Sequence, residues 1–405
     1  MLKYSNKRLL LFYYISVKKE IENGGKDNKI THIIAKKRTK HLRKEKRMKF
    51  IHCGDLHLDS KLESNIGKEK AKERRNEILL TFERIVRFAQ KEGVKAILIA
   101  GDLFDTGMIA SKARNLVWDL ILGTPEIDFL YLRGNHDWNT NFTEGRSIPP
   151  NFKCFGTDWM EYQYGEVSVW GKESLEDDVN YASLMTEPGR INIVMMHGQE
   201  TRSNVKDDAG VIALPALRNR NIDYLALGHI HSYKKENLDE RGVYCYCGCP
   251  EGRGFDECGE KGIVLLEAEE GKVYSRFVPM AFRILHEIRV DISGWETTTD
   301  ILRAVNAKTA HIPPKDLVKV IFTGNYTVDT EKDFTYFSQA MEGRFYFIKW
   351  ADESRLSIDY KEYEHMISLK GEFVRMVMKG TEPEKEKEKM ILLGIRALSG
   401  EELIV

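Results

Sequence analysis

The chain has 405 residues, 42% of them hydrophobic, which is too long for one ordinary compact domain and apolar enough for a sizeable core. Its formal net charge of zero is a split: residues 1–47 hold 15 Lys/Arg against 4 Asp/Glu, and the rest hold 47 against 58. An acidic body excludes a protein that coats nucleic acid by bulk charge, so contact with nucleic acid would rest on local basic patches or metal ions.

Residues 1–47 are basic and show no periodicity. They read as an extension upstream of a natural start at Met48, non-native or disordered, with a basic nucleic-acid arm as the alternative. Leu9–Ile15 is followed by Lys18, Lys19 and Glu20 rather than small residues, so it is not read as a signal peptide. No apolar run reaches the ~18 residues needed to span a bilayer. Six cysteines outside any extracellular framework suit a reducing cytosol, so a cytoplasmic location and no membrane partner are expected.

Regular structure is expected from Met48, with strand and helix signals alternating to about residue 282. Lys49–Cys53 reads as a strand. Lys68–Glu92 reads as a helix, because Ile78, Phe82, Ile85, Val86 and Ala89 share one face. Val94–Ala100 is a buried strand, and Ser111–Leu122 a second helix with Ser111 as its N-cap. Apolar runs follow at Ile127–Leu132, Ile191–Met196 and Ile222–Leu227. Hairpin-like pieces lie at Gly165–Trp170, Gly242–Cys247 and Gly262–Glu267. This mixture predicts an α/β fold with two packed sheets and helices outside. From 283 to 362 the order β-α-β-α-β predicts a small α+β domain. Residues 363–405 read as terminal helices: Ser368 caps Leu369–Lys379, Gly380 stops it, and Thr381 with Glu384 forms a capping box for Lys385–Leu398.

The polar residues at the ends of the apolar runs carry the chemistry. Phe50–Cys53 leads to Asp55 and His57. Ile97–Ala100 leads to Gly101-Asp102-Leu103-Phe104-Asp105. Leu130–Leu132 leads to Arg133-Gly134-Asn135-His136-Asp137. Ile193–Met196 leads to His197-Gly198, and Leu225–Leu227 to Gly228-His229-Ile230-His231. Carboxyl ends of parallel strands line one crevice, so these residues converge if the strands are mostly parallel. Five of the 11 histidines stand in these positions. Imidazole, carboxylate and amide oxygen suit borderline divalent ions: Mn²⁺ first, with Fe²⁺ or Zn²⁺ as alternatives. Asp55, His57, Asp102, Asn135, His197, His229 and His231 exceed what one ion needs, whereas two ions sharing one carboxylate use them all. Each string alone is an ordinary turn, and the joint occurrence is what points to a metal site.

These five segments resemble the calcineurin-like metallophosphoesterase superfamily, whose pattern is DxH, GDxxD, GNH[DE], His before Gly, then GHxH. The resemblance is closest to SbcD-type DNA repair exonucleases and covers most of residues 48–380. Phe50–Ser60 and Gly101–Thr106 look like that group, as does Tyr246–Pro250 continuing to Gly254-Phe255-Asp256-Glu257, with Cys249 where the group often has Ser. The resemblance implies a two-sheet β-sandwich flanked by helices as the catalytic domain (48–282), a capping domain (283–362), and C-terminal helices (363–405) that dock on an SbcC-like ATPase. It also implies one ion on Asp55, His57, Asp102 and His231, and a second on Asp102, Asn135, His197 and His229. Asp102 bridges and His136 binds no metal.

The function expected is that of a two-metal phosphodiesterase, a DNA nuclease of an SbcCD-like complex, with a homodimer also implied. A phosphatase or small-molecule phosphodiesterase is the first alternative, and a non-catalytic scaffold the second. His136 is expected to protonate the leaving sugar oxygen. Asp105 or Asp137 is expected to orient a histidine, or simply to cap a turn. Arg133 is the candidate phosphate contact among basic residues that include Lys68, Lys70, Lys72, Arg74, Arg75 and Arg146. Cys245, Cys247, Cys249 and Cys258 are not at a usual zinc spacing, and burial on one strand face explains three of them. Leu369–Met378 reads either as packed on its own domain or as a groove-docking helix.

Overall fold

The computed structural model describes residues 47–62, 66–105, 108–138, 140, 142–173, 180–202, 210–327, 330–357 and 365–398. The expected N-terminal extension, apart from Arg47, lies outside the described residues. In chain order the first strands are β1 (Met48–Cys53), β2 (Ala96–Ala100), β3 (Asp128–Leu132), β4 (Phe152–Cys154), β5 (Met160–Tyr164), β6 (Val167–Gly171) and β7 (Ile191–His197). Then come β8 (Gln199–Thr201), β9 (Val211–Ala213), β10 (Tyr224–Gly228), β11 (Lys234–Asn237), β12 (Val243–Tyr246), β13 (Gly262–Glu269) and β14 (Lys272–Pro279). Helices α1 (Lys68–Glu92), α2 (Ser111–Gly123) and the single turn α3 (Leu214–Leu217) lie between them.

Two six-stranded sheets result, in the orders β14-β13-β1-β2-β3-β4 and β11-β12-β10-β7-β6-β5. Strands β1 to β4 are parallel, and so are β6, β7, β10 and β12. The period-2 alternation of each strand decides what its residues touch. Phe50, Leu98, Leu130, Ile193, Met195 and Ala226 pack between the sheets. Ile51, Ile97, Ile99 and Phe129 point outward to Phe82, Ile85, Val117 and Trp118 of α1 and α2. Val194, Met196, Leu225 and Leu227 cover the far face of the second sheet, against Leu214 and Leu217. Burying both faces of these sheets is what near-continuous apolar runs demand. It brings the ends of β1, β2, β3, β7 and β10 to one rim.

Helix α1 buries the expected face, including Ile78, Phe82 and Ile85, and stops at left-handed Gly93. Helix α2 starts one position earlier than expected. Ala110 takes the cap position without a side-chain bond, and its carbonyl accepts the Arg114 N–H. Ser111 is therefore the first helical residue rather than the cap.

A smaller unit follows: β15 (Leu285–Asp291), α4 (Thr298–Thr309), β16 (Leu317–Thr323), β17 (Asn325–Tyr326), α5 (Phe334–Ala340), β18 (Phe347–Asp352) and β19 (Arg355–Leu356). The expected β-α-β-α-β order holds, but β15, β16 and β18 pair in parallel. Its connections are the crossovers of an α/β unit, not of the α+β arrangement expected, because each helix returns the chain to the same sheet end. Val290, Ile301, Val305, Val320, Phe322 and Phe337 form its core.

The unit is seated against α1. Leu285 and Leu317 join the core beneath that helix. Arg74, 1% exposed, pairs with Glu77 and, at 2.8 Å, with Glu251, and donates to the Gly252 carbonyl at 2.7 Å. Arg283 reaches Glu77 at 2.8 Å and Glu73 at 3.1 Å.

Helices α6 (Leu369–Met378) and α7 (Glu384–Leu398) close the described chain, packed through Val374, Val377, Ile391 and Ile395. Ser368 caps α6 as expected, accepting the Gly371 N–H at 3.2 Å. Helix α7 starts directly after Pro383, whose carbonyl accepts the Lys387 N–H. Proline suits a helix start and leaves Thr381 outside the expected capping box. No helix among the described residues is long and apolar enough to cross a membrane.

Candidate metal centre

The loops at the rim are laced to one another through their backbones. Past β1, the Asp55 N–H donates to Gly101 O at 3.0 Å, His57 N–H to Asp102 O at 3.0 Å, and Leu58 N–H to Leu103 O at 3.1 Å. Asp55, His57, Asp102 and His229 all adopt positive φ, from 45° to 104°. Non-glycine residues hold such backbone only where surrounding structure enforces it, at about 1–3 kcal/mol each. Two glycines make room. A Cβ on Gly101 (φ +89°) would stand 2.2 Å from His197 Nδ1, and one on Gly134 would stand 2.2 Å from Asp102 Oδ1.

The seven expected ligands meet. Asp55, His57 and His231 have donor atoms within 4.8 Å of one another, and so do Asp55, Asp102 and His197. Asp102 lies centrally: its Oδ2 is 3.8 Å from His57 Nε2 and 3.5 Å from His197 Nε2. Asn135 Oδ1 is 2.9 Å from His197 Nε2 and 3.3 Å from His229 Nδ1. Both Asp55 oxygens accept the His229 N–H.

Two of these contacts test whether cations fit. His231 Nδ1 lies 2.7 Å from Glu257 Oε1, and His57 Nδ1 lies 3.0 Å from Asp105 Oδ1, off the line of a straight hydrogen bond. Each carboxylate claims the Nδ1 proton, which leaves a lone pair on each Nε2. Those two Nε2 atoms face each other at 3.3 Å. Likewise His197 Nδ1 lies 2.9 Å from Ala100 O, so its Nε2 meets Asn135 and Asp102 acceptor to acceptor. Converging lone pairs repel unless a cation lies among them, and histidine ligands are held in this way from behind. The donor set fits divalent ions.

Burial keeps the imidazoles neutral. His197 is pushed down to about 4, and burial also lowers His57 and His229. Burial pulls His231 down too, but its bond to Glu257 and the charges of Asp55 and Glu257 outweigh this and raise it. Burial pushes the Asp55 carboxyl up to about 7. Asp105 is held down at about 2, chiefly by its contact with His57.

His136, which follows Asn135, sits at the edge of the cluster with its side chain 42% exposed. Its N–H donates to Asp102 Oδ1 at 2.9 Å, and its Nδ1 lies 3.2 Å from Asp105 O and 3.5 Å from Asp105 Oδ1. Asp105 thus serves both His57 and His136. Asp137 bonds no histidine among the described residues. It accepts N–H groups from Leu103 (3.1 Å), Phe104 (3.0 Å) and Gly134 (3.0 Å), which is the turn-capping alternative. Arg133 is gripped by both oxygens of Glu173, at 2.8 and 2.6 Å, and lies over Trp138, so one edge of its fork is taken.

Cys245 and Cys247 lie in the core between the sheets. The Cys249 thiol faces His231 O and Glu257, and that of Cys258 faces Phe255 O. The sequence reading missed Glu257, Arg253 and Glu173. The first two sit in a loop with no apolar run before them. The available signal was a row of charged residues just past the Gly248-Cys249-Pro250 turn.

Residues 48–233 match the family of calcineurin-like phosphoesterases. Over 273 residues the chain is 26% identical to the uncharacterized metallophosphoesterase YhaO of Bacillus subtilis (strain 168), covering 63% of this chain and 66% of that one. It is 25% identical over 276 residues to the SbcD component of nuclease SbcCD of Escherichia coli (strain K12), covering 56% and 67%. It is 25% identical over 240 residues to the DNA double-strand break repair protein Mre11 of Saccharolobus solfataricus, covering 54% and 60%. The matches thus span about two-thirds of these relatives or less.

Proposed function

We propose, from the premise that residues 48–233 are a calcineurin-like phosphoesterase domain, that the protein is a two-metal phosphodiesterase that cuts DNA. The observation that carries the reading is the pair of Nε2 lone pairs on His57 and His231, 3.3 Å apart, beside a central Asp102. Asp55, His57, Asp102 and His231 would hold one ion, and Asp102, Asn135, His197 and His229 the second, with Mn²⁺ the first choice. Bound there, such ions supply Lewis-acid charge for the phosphoryl oxygens and acidify a water. The similarity to the SbcD component of nuclease SbcCD and to Mre11 supports DNA as substrate, an SbcC-like ATPase as partner, a dimer and a cytoplasmic setting.

The chain's own residues do the rest. Asp105 holds Nδ1 of His136, which leaves Nε2 to give a proton to the departing sugar oxygen. Asp137, fastened to three backbone N–H groups, keeps the Asn135-His136 turn in place. The test compares hydrolysis of end-labelled linear duplex DNA with that of a nitrophenyl phosphate, with and without Mn²⁺. Mn²⁺-dependent DNA cleavage is expected. Turnover of the small ester alone would sink the nuclease reading, and a chain that takes up no metal would sink the two-metal reading.

A further inference from the structure

Behind His231 stands a charged cluster that the proposed chemistry leaves unused. Glu257 is 4% exposed. Its Oε1 lies 2.7 Å from His231 Nδ1. Its Oε2 accepts the Arg253 N–H at 2.7 Å and faces the Cys249 thiol at 3.5 Å. The Arg253 guanidinium donates to Glu257 Oε1 at 3.0 and 3.2 Å, and reaches Asp105 Oδ1 at 3.3 Å. Lys261 fixes the His231 carbonyl at 2.7 Å. A single guanidinium therefore joins the carboxylate behind His231 to the carboxylate behind His57.

We propose that Glu257 and Arg253 are positioning residues that set His57 and His231, as a pair, toward one of the two cations. The assignment rests on the two-metal reading of the site. Glu257 makes Nδ1 of His231 the proton-bearing atom and so presents Nε2 to the cation. Arg253 keeps the Glu257 and Asp105 carboxylates at one spacing, and with them the two imidazoles. The other cation's ligands lie outside this device: His197 is set by the Ala100 carbonyl. Damage at Glu257 or Arg253 should therefore reach one ion and spare the other, whereas a merely structural role would touch both or neither.

The experiment titrates the full-length metal-free protein with Mn²⁺ by calorimetry and records the absorption spectrum of its Co²⁺ form. The wild-type chain is expected to bind two ions. Glu257→Gln turns an obligate acceptor into a group that can also donate to Nδ1, and is expected to weaken one ion by about 10–100-fold while leaving the other within about threefold. Arg253→Lys keeps the cation but not the fork, and is expected to weaken the same ion by about tenfold. In both variants the Co²⁺ spectrum should change for one site only. Wild-type affinity at both sites in both variants overturns the assignment, and so does equal loss at both sites. If Glu257→Gln fails to fold, Arg253→Lys decides. A wild-type chain that binds no Mn²⁺ fails the two-metal reading, and this assignment with it.

Discussion

Both oxygens of Asp55 accept the backbone N–H of His229, at 2.9 and 3.0 Å. That one donor does not offset burial, which pushes Asp55 up to about 7 from its ordinary 3.8. In metal-free protein the folded value exceeds the unfolded one. Asp55's share of stability is therefore full below about pH 3.8 and is lost as pH rises through about 7. A cation needs the ionised form, so Mn²⁺ competes with a proton below pH 7. Apparent Mn²⁺ affinity should fall up to ~10-fold per pH unit below about 7 and level off above it. His197, held near 4, stays neutral in that window. Calorimetric titrations from about pH 5.5 to about pH 8 check this, and an affinity flat across the range would contradict it. The melting-temperature gain from saturating Mn²⁺ should likewise be largest above pH 7.

Asp102 stands between His57 and His197 and is the shared carboxylate of the proposed pair. Asp102→Ala should lower metal content from two ions to one or none. Phosphoester hydrolysis should drop by about a thousandfold or more, the scale of several kcal/mol of lost charge stabilisation. Elemental analysis of Mn²⁺-loaded protein reads the first outcome. Two ions retained would remove Asp102 from its bridging position.

His136→Ala should keep both ions and lower kcat on DNA by about 10²–10⁴-fold. The loss should be much smaller on a nitrophenyl ester, whose leaving group departs without a proton. Equal losses on the two substrates would mean that His136 acts on something other than the leaving oxygen.

Gly101→Ala tests the packing beneath the site. The φ of +89° costs a side chain about 1–3 kcal/mol, and the added methyl would stand 2.2 Å from His197 Nδ1. The variant should melt several degrees lower and bind one ion weakly. A wild-type melting curve with unchanged Mn²⁺ titration would show that the loop adjusts freely.

The ligand positions were legible because each polar residue follows an apolar run, and β1, β2, β3, β7 and β10 end at the same rim. The α1 face was legible for the same reason, since Ile78, Phe82 and Ile85 repeat at helical spacing. What stayed hidden depends on contacts distant in sequence. Nothing local marks Glu257 as the partner of His231, because their bond forms only once the loop after β12 folds back. Asp137 read equally well as an orienting carboxylate or a turn cap, and only the approach of Leu103 and Phe104 N–H decides. Parallel pairing of β15, β16 and β18 was hidden because a β-α-β-α-β order does not fix strand direction. Ser111 and Thr381 failed as caps for a local reason: Ala110 and Pro383 already met the backbone requirements of those helix starts.

The seating of the smaller unit has a mechanical corollary. Glu251 and Gly252 are fastened to Arg74, and the Gly259 N–H is fastened to the Leu285 carbonyl at 2.9 Å, where β15 begins. Arg253 and Glu257 hang between those two anchorages. Tilt of the outer unit and the aim of an imidazole at the rim are thus geared rather than independent coordinates. A load applied far from the reacting phosphate would be delivered through that short span.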